Sequence, residues 1–236
     1  MPHWGIWIIL IIGAYLLGSV PASYLVARAR GIDLRKQGTR QVGSGNLWRM
    51  TSRKYGLAIG IFDFAKGLIM VVIAYALDMD IAEQVVVGLA AVVGHNWPVF
   101  LSFHGGRGAA TTLGIVIIVP SINDSTALPA VIAISIVVLG TVIVRSSSLP
   151  VLISAASLPA TYGAFQTDIA ITMTFLALFL VLVIKRLTAQ PMREDITISK
   201  KQVLLNRFLF DRDIRDRKAW MFQEPIEPQE LLEDND

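Results

Sequence analysis

Seven apolar runs separated by polar connections make up the first 184 residues of the chain. Most of these runs have roughly 16 to 22 residues, close to the ~20 with which a helix crosses a bilayer. We therefore predict an all-α integral membrane protein with seven transmembrane helices. The fourth run is short, so its helix either extends into flanking residues or is only partly embedded. The predicted spans are Trp4–Ala27, Leu57–Leu77, Gln84–Phe103, Ala109–Pro120, Ala127–Val144, Leu149–Phe165 and Ile169–Ile184.

The basic residues are confined to alternate connections. Eight lie from Arg28 to Lys54, Arg107 and Arg145 lie in the next two connections on the same side, and ten follow from Lys185 onward. The other connections contain no Lys or Arg, and their acidic residues are Asp78, Asp80, Glu83, Asp124 and Asp168. Since cytoplasmic loops carry the excess of Lys and Arg, we predict an outside N-terminus and a cytoplasmic C-terminus.

The composition agrees with a membrane protein. Of 236 residues, 54% are hydrophobic and only 17% charged, whereas soluble domains have about a quarter charged. The chain has no cysteine, and its three histidines lack the spacing of a zinc site. We expect neither disulfides nor a bound metal, and a net charge of +3 gives no indication of nucleic-acid binding.

The chain divides into a membrane domain, residues 1–184, and a charged cytoplasmic tail, residues 185–236. Leu204, Leu205, Phe208 and Leu209 beside Arg207 predict a short amphipathic helix at the membrane interface. The last fifteen residues are expected to be solvated and partly disordered.

The clearest chemical signal lies between Gly94 and Thr111. Here an apolar run leads into a loop of sequence Gly-Gly-Arg-Gly, residues 105–108, and a second apolar run follows at once. Glycines let backbone N–H groups turn towards one point, Arg107 adds a fixed charge, and the next helix offers its N-terminus. The pattern predicts an anion site, most naturally for phosphate. It fits neither a P-loop nor a dinucleotide-binding fingerprint.

Two more polar loops lie on the same predicted side. The segment Gly38–Arg49 holds glycines, hydroxyls, an amide and arginines that can surround an anion, although a loop bound to anionic lipid is the alternative. The serines of Arg145–Ser148 either donate to a phosphate or cap the next helix. We predict one cytoplasmic site built from all three loops.

Three ionisable residues lie inside predicted spans. Asp63 and Lys66 are three residues apart on one helical face, either as part of the site or as a structural pair beneath it. His95 is expected to be a packing residue. No serine or cysteine stands in the setting of a covalent nucleophile, so an acyl-enzyme is not expected.

These motifs resemble the bacterial acyl-phosphate:glycerol-3-phosphate acyltransferases, the PlsY family. Residues 94–111 are similar to its GHxFPxFxxFKGGKGVAT, with His104 and Arg107 at the two lysines. Residues 18–21, 32–35, 63–67 and 145–149 resemble its GSIP, the stretch before its first motif, its DFxKG and its RYxSL.

Two motifs depart from the family pattern. The family's GSGNxGATNxxR appears as GTRQVGSGNLWR, where a gapless alignment puts Gly38, Gly43, Asn46 and Arg49 on identities and Thr39 on the serine. The third motif, RHxxNIxRL, has no close counterpart after the last span. Arg186 stands at its histidine and Ala189 at its asparagine, both expected to help hold substrate phosphate. Substitute donors would come from Arg186, Thr188, Gln190 or Arg193.

The resemblance implies a seven-span inner-membrane enzyme. It would transfer a fatty acyl group from acyl phosphate to the 1-hydroxyl of glycerol 3-phosphate, giving lysophosphatidic acid for phospholipid synthesis, without a cofactor. The alternatives are a diverged member that acylates another acceptor and a non-catalytic membrane protein that binds phosphorylated lipid.

The expected catalytic residues are Thr39, Arg49, Arg107 and Ser148. The residues expected to bind substrate and its phosphate groups are Gly38, Gly43, Ser44, Asn46, His104, Gly105, Gly106, Gly108, Thr111 and Arg186. Acyl phosphate, glycerol 3-phosphate and membrane lipids are the expected partners, with no nucleic acid.

Overall fold

The computed structural model describes residues 3–165, 169–188 and 198–222, and every regular element within these residues is helical. The helices are α1 (His3–Ser19), α2 (Ala22–Arg28), α3 (Ser44–Met50), α4 (Arg53–Ala76), α5 (Ile81–Asn96), α6 (Ala109–Ile122), α7 (Leu128–Val144), α8 (Ser148–Phe165), α9 (Ile169–Leu187), α10 (Lys200–Phe210) and α11 (Arg217–Phe222). A single 3-10 turn, Val99–Leu101, follows α5.

Five helical segments are long and apolar enough to cross a membrane. They are His3–Arg28, Arg53–Ala76, Ile81–Leu101, Ser148–Phe165 and Ile169–Leu187. The predicted fourth and fifth spans form apolar helices of 14 and 17 residues, α6 and α7, which are shorter than the ~20 residues of a full crossing. All seven predicted apolar runs are therefore helical, and the number of complete crossings stays a prediction.

The first span is interrupted at Pro21. A proline has no N–H to donate and its ring excludes the carbonyl of the preceding turn, so α1 ends at Ser19 and α2 begins at Ala22. The carbonyls of Gly18 and Val20 accept hydrogen bonds from the Lys66 ammonium of α4, at 3.2 and 2.7 Å. A side chain from a neighbouring helix thus donates hydrogen bonds to backbone carbonyls at the break, where the regular helical hydrogen bonds are interrupted.

Glycines bring the helices of the bundle into close contact. A Cβ on Gly18 would lie 2.2 Å from the carbonyl oxygen of Ala91, and a Cβ on Gly94 would lie 2.2 Å from that of Tyr15. Helices α1 and α5 therefore pack backbone to backbone, as small residues allow in membranes. On the other side of the bundle α9 packs on α8, where the rings of Tyr162 and Phe175 stack with centroids 4.2 Å apart.

The outer face of α7 is apolar and exposed. Val142 and Ile143 are 73% and 78% exposed. A continuous surface of this kind is stable in hydrocarbon rather than in water, which agrees with a membrane location for this short helix.

The tail forms two helices that dock on the bundle. The predicted amphipathic helix is present as α10: Val203 and Asn206 are buried, whereas Leu204 and Leu205 are about half exposed. The Arg207 guanidinium pairs with the Asp213 carboxylate at 2.5 Å and donates to the carbonyl of Leu187 at the end of α9. The expectation of disorder in the last fifteen residues falls, except for Phe222, outside the described residues.

Candidate active site

A cavity of about 370 Å³ lies at the end of the bundle where the three predicted loops meet. It is bounded by α3, the start of α6, the start of α8, the end of α9 and the tail. Ten of the predicted site residues line it, namely Thr39, Gly43, Ser44, Asn46, Arg49, Gly106, Arg107, Gly108, Ser148 and Arg186. Distant segments of the sequence thus meet around one space.

Asn46 holds together the polar segment Gly38–Arg49, the first of the three loops. Its buried side-chain amide donates to the carbonyls of Leu34, Gln37 and Gln41, while its carbonyl oxygen accepts from the backbone N–H of Thr39 at 3.0 Å. Although Asn46 borders the cavity, these bonds use its polar atoms to hold the loop in shape. Thr39 and Arg49 are thereby presented from a fixed backbone.

An ion pair lies just before this loop in the chain. The Arg35 guanidinium bonds both carboxylate oxygens of Asp33, with Nη2 to Oδ2 at 2.8 Å. This side-chain hydrogen bond lowers the pKa of Asp33 to about 2, so the pair stays ionised at neutral pH.

The Gly-Gly-Arg-Gly loop folds back over the end of α5. A Cβ on Gly106 would lie 2.2 Å from the Nε2 of His95 and 2.8 Å from the carbonyl oxygen of Val42. Gly108 begins α6 with φ +70°, in the left-handed region that glycine adopts without strain. A side chain at Gly106 would force the His95 ring or the Val42 carbonyl to move, and one at Gly108 would strain the backbone, so glycine suits both positions.

Arg107 extends from this loop between the cavity and the tail. Its Nε lies 2.8 and 3.1 Å from the two carboxylate oxygens of Asp211, and its Nη1 donates to the carbonyl of Lys185. The Gln41 amide donates to the same carboxylate at 3.3 Å. The cation predicted to bind phosphate is thus paired with a carboxylate from the tail.

Arg186 connects three helices. Its guanidinium donates to the carbonyl of Ser148 at the start of α8, at 2.5 Å, and to the carbonyl of Phe208 in α10, at 3.0 Å. The residue that stands at the family's histidine therefore also attaches the tail. Ala189, at the family's asparagine, lies outside the described residues.

Asp63 and His95 also line the cavity, where the buried side chain of Asp63 contributes a carboxylate. An Asp63 oxygen lies 3.1 Å from the Lys66 ammonium and 3.5 Å from Nδ1 of His95. Lys66 is 2% exposed and also bonds the broken first span. Both interpretations of the Asp63–Lys66 pair thus have support, because it is a structural pair whose carboxylate reaches the cavity.

Four predicted residues lie away from this cavity. His104 is exposed, and its Nδ1 is 2.7 Å from the carbonyl of Ser102. His104 and Gly105 border a second cavity, of about 260 Å³, which shares Arg107 and Asp211 with the first. Gly38 supports the loop with φ +60°, and Thr111 is buried in the contact between α6 and Gly67 of α4.

The tail supplies cavity residues that the sequence reasoning did not single out. They are Phe210, Asp211, Arg212, Arg217, Trp220 and Met221. The run of alternating acidic and basic residues from 211 to 218 was the only signal, and such runs are usually solvated. Asp63, by contrast, carried a usable signal as a charge inside a span.

The cavity is lined by both apolar and charged residues. Val151, Leu152 and Ala155 of α8 and Leu182 of α9 give it an apolar wall, whereas arginines from α3, the Gly-Gly-Arg-Gly loop, the end of α9 and the tail give it positive charge. Burial and the nearby charge of Arg217 lower the pKa of Arg49. This combination suits a ligand with an anionic head and a hydrocarbon chain.

Comparison with known proteins identifies the family. The sequence profile of the family described as glycerol-3-phosphate acyltransferase matches residues 8–193. The glycerol-3-phosphate acyltransferase 4 of Dehalococcoides mccartyi (strain CBDB1) is 37% identical over 223 residues, covering 92% of this chain and 93% of that protein. The chain belongs to the glycerol-3-phosphate acyltransferase family.

Other relatives of this acyltransferase agree. The glycerol-3-phosphate acyltransferase of Aquifex aeolicus (strain VF5) is 36% identical over 208 residues, covering 87% of this chain and 97% of that protein. The glycerol 3-phosphate form of PlsY, an integral membrane glycerol 3-phosphate acyltransferase, is 29% identical with TM-score 0.69, covering 76% of this chain and 88% of that one. Its lysophosphatidic acid form is 27% identical with TM-score 0.68, covering 92% and 99%.

Proposed function

We propose that this acyltransferase moves a fatty acyl group from acyl phosphate to the 1-hydroxyl of glycerol 3-phosphate, giving lysophosphatidic acid and inorganic phosphate. The observation that carries the proposal is the cavity itself, in which an apolar wall from α8 and α9 borders the same space as arginines from α3, the Gly-Gly-Arg-Gly loop, α9 and the tail. Both substrates bring phosphate, and the donor also brings an acyl chain. The solved relatives, in glycerol 3-phosphate and lysophosphatidic acid forms, support the acceptor and the product.

The chemistry requires positioning more than covalent catalysis. The acceptor hydroxyl oxygen attacks the acyl carbonyl carbon, the bond from that carbon to the phosphate oxygen breaks, and the hydroxyl proton leaves with the phosphate. Arg49 and Arg107 are placed to hold phosphate groups, and Thr39 and Ser148 border the same space. Holding both reactants in one cavity lined by arginines supplies orientation and charge stabilisation.

The donor and acceptor can be tested together. Purified protein in detergent micelles should convert glycerol 3-phosphate to lysophosphatidic acid with acyl phosphate, and not with acyl-CoA. Product formation is followed by mass spectrometry. Transfer from acyl-CoA would contradict the proposed donor. No transfer to glycerol 3-phosphate, but transfer to another phosphorylated acceptor, would indicate the diverged alternative.

We also propose that the cavity opens to the cytoplasm of a cell whose membrane the chain crosses seven times. Support comes from the arginines that line the cavity and from the Lys and Arg residues of the neighbouring loops, because the cytoplasmic loops of membrane proteins carry the excess of Lys and Arg.

Cysteine labelling tests this orientation, since the natural chain has no cysteine. Asp80→Cys and Gln37→Cys each place a thiol at an exposed position, on opposite predicted sides. On intact cells an impermeant maleimide should label the first and leave the second unlabelled until the membrane is opened. The reverse pattern would overturn the orientation.

A further inference from the structure

The tail covers part of the cavity. The Phe208 carbonyl accepts from Arg186, Asp211 pairs with Arg107, and the guanidinium of Arg40 in the first loop lies 4.9 Å from the centre of the Trp220 ring. The segment from Phe208 to Trp220 thus contacts the end of α9, the loop that contains Arg107 and the loop that contains Arg40. It also lies beyond residues 8–193, the part matched by the family profile.

This covering segment adds cations to the site. Five arginines line the cavity among the described residues, and two of them, Arg212 and Arg217, come from the tail. Of the two lining aspartates, Asp63 is paired with Lys66 and Asp211 with Arg107. The charges of the remaining arginines are therefore only partly offset within the protein.

Arg212 is the best placed of these cations. Its guanidinium lies 5.4 Å from the centre of the Phe210 ring, and within the described residues its buried Nε has no hydrogen-bond partner. A buried donor without an acceptor is costly unless a ligand supplies one. Burial and then the neighbouring charge of Arg217 lower the pKa of Arg212, against the smaller opposite effects of Asp216 and Asp211.

We propose that Arg212 and Arg217 are phosphate-binding residues of this acyltransferase, and that the tail completes its substrate site. A phosphate monoester carries a charge of about −1.5 to −2 at pH 7, so a substrate phosphate between the tail and Arg49 relieves the repulsion among these cations. The inference rests on the proposed function for the identity of the phosphorylated substrate.

Two variants and a matched control test the inference in the full-length enzyme. Arg212→Gln and Arg217→Gln should each raise the KM for a phosphorylated substrate by ~5- to 10-fold, with a smaller change in kcat. Arg215→Gln removes a charge from the same segment at an exposed position that does not line the cavity, and its KM should equal that of the wild type. Arg212→Lys keeps a charge and should recover part of the loss.

Binding of inorganic phosphate separates this inference from the proposed function. Calorimetry should show phosphate binding to the wild type and to Arg215→Gln, and weaker binding to the other two variants. If acyl transfer fails but this order of affinities is found, the proposed function is wrong and the inference stands. If Arg212→Gln and Arg217→Gln match the wild type in KM and in phosphate affinity, the inference is overturned. A thermal unfolding scan of each variant shows whether a change in KM results from misfolding. If Arg212→Gln is misfolded, the KM and the phosphate affinity of Arg212→Lys take its place in the test.

Discussion

Arg107→Ala should raise the apparent KM for a phosphorylated substrate by at least ~10-fold. The estimate follows from ~1.5–3 kcal/mol for a hydrogen bond to a charged group. Arg107 lies at the start of α6 beside two glycines and borders both cavities. Steady-state kinetics with each substrate varied in turn would measure the effect, and Lys36→Ala, an exposed change on the same side, provides the control.

Asp211→Asn distinguishes phosphate binding by Arg107 from attachment of the tail. This variant removes the charge of the same ion pair but leaves the arginine, and asparagine tolerates the left-handed backbone at this position, where φ is +59°. If Arg107 binds phosphate, Asp211→Asn keeps the KM at or below that of the wild type. Equal increases in KM in both variants would show that the ion pair matters only for docking the tail.

Lys66→Met should lower the free energy of unfolding by ~3–5 kcal/mol, the range for removing one partner of a buried ion pair. The change leaves the Asp63 carboxylate without its nearest cation and removes the hydrogen bonds from the ammonium to the carbonyls of Gly18 and Val20, of which Val20 keeps the bond from the backbone N–H of Ala22. Chemical unfolding in micelles would measure it.

Two further variants qualify that result. Lys54→Met lies on the exposed start of the same helix and should change stability little. Asp63→Asn combined with Lys66→Met removes the uncompensated charge and should recover part of the loss. A single Lys66→Met that unfolds like the wild type would contradict the role given to this ammonium.

The helices were predictable because lipid imposes a simple rule on sequence. Five of the seven apolar runs form one helix each with ends within a few residues of the prediction. The first run is divided into α1 and α2, and α5 ends at Asn96, before the predicted end of the third span at Phe103. The predicted span Trp4–Ala27 did not include the break at Pro21, although a proline can break a helix. The hydrogen bonds from Lys66 at this break could not be predicted either, since they join residues 48 and 46 positions apart.

The loops of the candidate site were predictable from the sequence, whereas the tail segment that covers the cavity was not. Glycines and arginines at Gly105–Gly108 and Gly38–Arg49 have few structural uses together, so their presence indicated an anion site. The docking of Asp211 and Trp220 depends on particular contacts with Arg107 and Arg40. Pattern and periodicity carry no information about such pairings between distant segments.

Because Arg212 and Arg217 follow the membrane helices in the sequence, the order of synthesis affects when the proposed phosphate site is complete. Chains grow from the N-terminus at ~5–20 residues per second, and early segments fold before later ones are made. All the membrane helices and both glycine-containing loops precede residue 188, so they exist before the segment from Phe210 to Met221 leaves the ribosome. With Arg212 and Arg217 as phosphate ligands, as proposed, a nascent chain already inserted in the bilayer lacks part of its phosphate site until the segment from Phe210 to Met221 has been made and has docked.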